Sequence, residues 1–156
     1  MIAVRTDTKA AQARLAAVAP RVTARVAEKV AAGAAALRDA VRRNLSGEVL
    51  NARSGRLRDS IRVETENSAA GSRARIVSDV PYARIQEYGG RIDIPEIEPV
   101  AAKVLAFPFE GRLVFAAHVK AHAVQIPARP YMRAALDEFA RSFKAELAAA
   151  IAETLV

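Results

Sequence analysis

The chain has 156 residues, 52% of them hydrophobic and 26% charged, which suits a single soluble globular domain with a core of its own. There is no Cys, so disulfides and thiolate chemistry are excluded, and aromatics make up only 5%, so the core must be built mainly from Ala, Val, Leu and Ile. The net charge of +7 is unevenly spread: residues 1–58 hold 12 Lys+Arg and 4 Asp+Glu, a balance of +8, whereas residues 59–156 hold 12 and 13, a balance of −1. That excess fits an Arg-rich solvated helix, and it also fits a face turned to nucleic acid or to an acidic partner.

The first residues, Met1 to Asp7, do not read as a signal peptide, because no apolar stretch follows a basic start. The longest apolar run, Val30 to Leu37, is far short of the roughly 20 residues that a membrane span needs. A soluble protein with no membrane partner is expected. From Asp7 to Leu45 the apolar residues Leu15, Val18, Val22, Val26, Val30, Leu37, Val41 and Leu45 recur at helical spacing. Thr6 and Asp7 are candidate N-caps, Pro20 is expected to kink or divide this helix, and Asn44 to Gly47 should end it. A basic row, Arg21, Arg25 and Lys29, follows the apolar stripe at i, i+4, i+8. Such a row repels itself, so it is expected to be solvated or neutralised by something outside the chain, an acidic neighbour or DNA.

Glu48 to Arg58 reads as a loop containing Gly55. Ile61, Val63 and Thr65 then alternate with charged residues, and after a turn at Asn67–Ser72 so do Ala74, Ile76 and Val80, which predicts an antiparallel hairpin. Pro81 opens a short helix, Tyr82 to Tyr88, stopped by Gly89-Gly90. Residues 91–102 read as an irregular acidic loop, because Pro95 and Pro99 stand close together. Ile92, Ile94 and Ile97, set among Asp93, Glu96 and Glu98, mark it as a docking segment that is mobile until assembled. Val104–Phe107 and Leu113–Ala116 predict a second hairpin around Pro108–Arg112, and Val119 to Ile126 either extends it or adds a strand. Pro130 opens a final helix with Met132, Leu136, Phe139, Phe143, Leu147, Ile151 and Leu155 on its apolar face. The order predicts an α+β domain, a mainly antiparallel sheet of two hairpins covered by long N-terminal and C-terminal helices. One domain over 1–156 is expected, with a helical segment 1–47, a sheet 54–127 carrying the mobile loop 91–102, and a C-terminal helix 130–155.

Catalytic constellations are missing from this pattern. His118 and His122 are the only histidines; on a strand they share a face but stand about 13 Å apart, with no third ligand in view, so no metal is expected. Asp93, Glu96 and Glu98 lie on one loop with nothing to hold a fixed separation between paired carboxylates. There is no nucleophile elbow and no phosphate-cradling glycine loop, and Ser46, Ser54 and Ser60 have no readable base. Neither enzymatic activity nor a cofactor is expected.

Three stretches stand out: Ser54-Gly55-Arg56-Leu57-Arg58-Asp59-Ser60-Ile61, Tyr82-Ala83-Arg84-Ile85-Gln86-Glu87-Tyr88-Gly89-Gly90, and Ile126-Pro127-Ala128-Arg129-Pro130-Tyr131-Met132-Arg133-Ala134-Ala135-Leu136. In this order they resemble the tail-component and virion-morphogenesis proteins of tailed bacteriophages. The resemblance implies a structural role at the neck of a phage, prophage or gene-transfer-agent particle, as a tail terminator or tail-completion protein. An adaptor or a minor tail protein is the alternative within the same particle, and a basic nucleic-acid-binding module is the alternative of another class. It further implies a homo-oligomeric ring, six-fold by resemblance alone, contacting a tail tube protein and a head connector or stopper protein, with DNA passing through the lumen. Such a protein assembles in the bacterial cytoplasm and ends in the virion. The motifs also have local readings. Gly55 frees the backbone to turn, Leu57 and Ile61 anchor that turn in the core, and Tyr82 and Tyr88 bury rings. Pro130 presets a helical turn, and Arg129 is placed to meet Glu87.

Overall fold

A helix of 36 residues, α1 (Thr8–Arg43), dominates the chain. The computed structural model describes residues 8–50, 54–68, 71–100 and 103–155, so the expected caps Thr6 and Asp7 lie outside the described residues. Of the two outcomes expected at Pro20, a kink or a division, division does not occur: α1 runs through it as one helix. A mid-helix proline removes a hydrogen bond to the carbonyl four residues back and costs about 3 kcal/mol in a closed interior. Here Ala16, Ala17, Ala19 and Pro20 are all exposed, so water reaches the freed carbonyl. The helix ends at a π-turn over Asn44–Glu48, where Gly47 takes φ 127°. The N–H groups of Val49 and Leu50 both donate to Asn44 O at 3.0 Å, which closes the last turn.

The chain forms two compact units: Met1–Ala83 with Pro130–Val156, and Arg84–Arg129. In the first, α1 packs against α4 (Tyr131–Leu155) and against the hairpin of β1 (Arg62–Ser68) and β2 (Gly71–Val77). Gly33 of α1 lies against side chains of α4. A Cβ there would stand 2.5 Å from Phe143 Cε2 and 2.9 Å from Phe139 Cζ, so only hydrogen fits beneath this ring pair. The rings themselves stack with centroids 4.7 Å apart. The apolar face expected for α4 is therefore shifted: Tyr131, Ala135 and Ala150 are buried, Phe139, Phe143, Leu147 and Ile151 are half-buried, and Leu136 and Leu155 are exposed. Small residues occupy the buried line because they let the helix axes come close.

β1 and β2 pair antiparallel from Arg62↔Val77 to Ser68↔Gly71. The expected turn at Asn67–Ser72 is thus taken up largely by strand, with only residues 69–70, which lie outside the described residues, between the paired ends. The core of this unit joins Val41 and Leu45 of α1, Leu57 and Ile61, Val80, and Tyr131 and Ala135 of α4.

In the second unit, β3 (Gly90–Ile94) pairs antiparallel with β6 (His122–Ile126), and β4 (Leu105–Phe109) with β5 (Arg112–Ala116). The α+β class holds. The single sheet of two hairpins does not form, since the described strands make three separate two-stranded pairs. Residues 91–94 are a strand and not the start of an irregular loop: Arg91, Ile92, Asp93 and Ile94 alternate with period two, and regular pairing stops only at Pro95. Beyond it Ile97 and Val119 exchange two backbone hydrogen bonds of 2.9 Å, an isolated bridge. Residues 101–102 of the expected loop lie outside the described residues.

Ile61 is fully buried in the first unit's core. Ile61→Ala is expected to lower the unfolding free energy by about 2–5 kcal/mol, through lost transfer energy and a residual cavity. Urea titration of the purified chain measures it, and a loss below 1 kcal/mol, in the range of surface changes, would show that Ile61 is not central to the core.

Candidate functional site

Ser54 to Ile61 form a compact corner. Gly55 takes φ 73°, a left-handed conformation that Gly adopts without steric cost, and stands just before the single helical turn α2 (Arg56–Asp59). The N–H of Asp59 donates to Gly55 O at 2.9 Å, and that of Ser60 to Arg56 O at 3.1 Å. The part of the expected loop from Arg56 on is therefore helical. Leu57 and Ile61 point into the core, as their place in the motif implied. Ser60 Oγ donates to Leu57 O at 2.7 Å and lies 2.7 Å from Ser78 Oγ, tying the corner to the end of β2. Arg42 Nη2 donates to Ile61 O at 2.8 Å and adds a third link, from α1. Arg58 Nε binds Asp59 Oδ1 at 2.8 Å, and this hydrogen bond holds the Asp59 carboxyl below its usual range.

The last motif delivers the residue that closes this core. Tyr131 is 1% exposed; its hydroxyl donates to Ala83 O at 3.2 Å, while its own carbonyl accepts from Asn44 Nδ2 at 2.9 Å. Sequence reasoning assigned ring burial to Tyr82 and Tyr88. The structure corrects this: both are exposed, Tyr88 at 62%, and Tyr131 is the buried ring. The signal was available, since Tyr131 follows Pro130 at the first turn of an amphipathic helix. The hydrogen bonds of Asn44 and Ser78 were not legible in the sequence, because a polar clasp leaves no periodic trace.

In the second unit, α3 (Ala83–Tyr88, of which Arg84–Tyr88 lie here) is stopped by Gly89, whose N–H donates to Ile85 O at 2.8 Å. Gly89 takes φ 69°, and a Cβ on it would stand 2.7 Å from Ala128 N and 2.8 Å from Ile126 O. Glycine is thus required by conformation and by space. Arg129 meets α3 through its backbone, the N–H donating to Gln86 O at 2.8 Å. Arg129 is exposed. Glu87 itself is buried, at 6% exposure.

The candidate interface residues divide. Arg21 is exposed and Lys29 half-buried, whereas Arg25 is neutralised inside the chain, by Glu28 at 2.9 Å and by Glu153 of α4 at 3.6 Å. The Glu28 hydrogen bond raises its pKa further. The basic row is therefore interrupted by carboxylates supplied from one turn further along α1 and from the far end of α4, a pairing that linear sequence hides. In the acidic segment Ile92 and Ile97 are exposed and Ile94 half-buried. Asp93 Oδ1 binds Arg91 at 2.8 Å, Glu96 lies 3.8 Å from His118 Nε2, and Glu98 is exposed. His122 Nδ1 lies 2.9 Å from Lys120 O. Among the described residues no three His, Cys, Asp or Glu side chains converge as metal ligands would, and no helix is long and apolar enough to cross a membrane.

The first unit thus pairs a long helix with a C-terminal helix around a core that the motif corner serves, and the second carries hairpins with exposed apolar residues. Residues 9–89 match the HK97-gp10-like family, described as bacteriophage HK97-gp10, putative tail-component, and the chain belongs to that family. Its role is that of a structural component of a phage tail, and its place is in the virion. No curated protein and no solved structure gives a match.

Gly89→Ala is expected to cost about 1–3 kcal/mol, from strain at positive φ and from the backbone approach. In hydrogen exchange the Arg129 amide should lose protection, whereas Gly111→Asn, at a turn glycine with open space around its Cβ position, should leave it unchanged. Equal protection in wild type and Gly89→Ala would refute the requirement.

Proposed function

We propose that the chain is a non-catalytic ring subunit at the neck of a phage or phage-like particle, where it terminates or completes the tail tube and meets the head. The family match carries this reading. The site geometry supports it: most of the motif residues whose partners are known, Gly55, Leu57, Ser60, Ile61, Gly89 and Tyr131, hold the backbone and core in place. Their chemistry is that of packing and hydrogen bonding, with no nucleophile–base pair among them. What the fold presents outward is contact surface, including the exposed Ile92 and Ile97 of the acidic segment and the exposed cation Arg21 on α1, which makes no ion pair among the described residues. Opposite charges on different surfaces suit head-to-tail contact between identical subunits, which closes when the rotation per subunit divides a full turn. The partners in this reading are further copies of the chain, a tail tube protein on one side and a head connector or stopper on the other, with DNA passing through the lumen.

Cryo-electron microscopy of assembled particles is expected to place the chain on the tail axis between head and tube in a closed ring, six-fold by family resemblance. A chain absent from the particle, or present off the axis in one or two copies, would overturn the neck reading.

A further inference from the structure

The β4–β5 hairpin is built like a sheet that lacks a strand. Its register pairs Ala106 with Phe115 and Pro108 with Leu113, and side-chain alternation places these four residues on one face. All four are exposed, Leu113 and Phe115 at 63% each. The residues of the other face nearer the strand roots, Leu105, Phe107, Val114 and Ala116, are half-buried. Both faces are thus apolar and only one is covered. A lone two-stranded hairpin is marginal in water, and β4 and β5 pair with no other strand among the described residues.

The turn fixes which edge is open. Glu110 and Gly111 take φ 48° and 76°, the signature of a two-residue type I′ turn, which makes the flanking Phe109 and Arg112 a hydrogen-bonded pair. By alternation the N–H and C=O groups of residues 106, 108, 113 and 115 then point away from the hairpin. On the β4 edge Pro108 has no N–H to offer, so that edge resists a further strand. On the β5 edge Leu113 and Phe115 present both groups. The other strands are less suited to pairing with a second chain: β1 displays Glu64 and Glu66, β2 Arg73 and Arg75, and β3 Arg91 and Asp93, all exposed charges of the kind that protect edges. β6 holds no Asp, Glu, Lys or Arg but shows no large exposed apolar side chain.

We propose that β5 of one copy pairs antiparallel with β5 of a second copy, joining two hairpins into one four-stranded sheet. The open groups select the register. Centred on Val114, it sets Leu113 opposite Phe115 of the second copy as a hydrogen-bonded pair, twice by symmetry, and brings these apolar side chains into lateral contact on one face of the joined sheet. Arg112 then lies opposite Ala116, so no like charges meet. The contact is small beside the roughly 800 Å² per partner of a stable interface, so the dimer is reversible and concentration-dependent. It is a contact of the free protein and does not rest on the neck ring; either can fail without the other.

Sedimentation velocity on the full chain over a concentration series tests it. A monomer–dimer equilibrium is expected, weakened at least tenfold in Phe115→Lys with unchanged far-UV circular dichroism. The chain has no Cys, so Val114→Cys introduces a single thiol. Across the two-fold axis that position is a non-hydrogen-bonded pair with Cα atoms about 4.5 Å apart, within disulfide reach. Mild oxidation should cross-link Val114→Cys and not Thr65→Cys on β1, and this arm stands even where Phe115→Lys misfolds. A chain monomeric at every concentration overturns the proposal, as does a dimer indifferent to Phe115→Lys or equal cross-linking at both positions. A β5 edge filled only when another tail protein is added overturns it in favour of that occupant.

Discussion

The first unit depends on burying one tyrosine. Tyr131 lies 87 residues from Asn44 and 48 from Ala83, yet it is hydrogen-bonded to both. A buried phenol supplies a large apolar surface but leaves a hydroxyl that must find a partner. The carbonyl of Ala83 meets that need, and Asn44 Nδ2 donates to the carbonyl of Tyr131 itself. The end of α1, the end of the segment that follows the first hairpin and the start of α4 are therefore fixed around one side chain. Val41, Leu45, Leu57, Ile61 and Val80 fill the space around it, and none of them is close to it in sequence. Loop-closure entropy for such distant contacts is large, and it is offset only when the whole cluster forms together.

The family motifs gain their meaning from this core. Gly55 and Ser60 shape the corner that delivers Leu57 and Ile61, and Pro130 presets the turn that delivers Tyr131. The distinguishing residues of the chain thus go into backbone geometry and packing. Membership of a tail-component family agrees with this distribution of roles.

The second unit is organised differently. Its strands form two separate pairs and its buried apolar content is small, with half-buried side chains on the inner face of β4–β5 and exposed ones on the outer. Gly89 fits closely against the backbone of residues 126–128, so the connection at that point is tight even where the strands beyond it are sparsely covered. The two units thus differ in character, one with a closed core and one with open apolar surface.

The sequence by itself determined the long helices, the two hairpins, the glycine stops and the family. Each of these is written in local terms: 3.6-residue or two-residue periodicity, a residue able to take positive φ, a proline at a first turn. It also pointed to Leu57 and Ile61 as anchors, because apolar residues spaced four apart around a turn can reach one core. Only the tertiary structure decided that Arg25 is neutralised by Glu153, that Tyr131 and not Tyr82 or Tyr88 is the buried ring, that Pro20 is tolerated inside α1, and that β3 pairs with β6. These outcomes depend on which distant groups share a low-dielectric or water-free space, and on whether solvent can satisfy a freed carbonyl. Periodicity reports which face of an element is apolar; it carries no record of the partner that covers it.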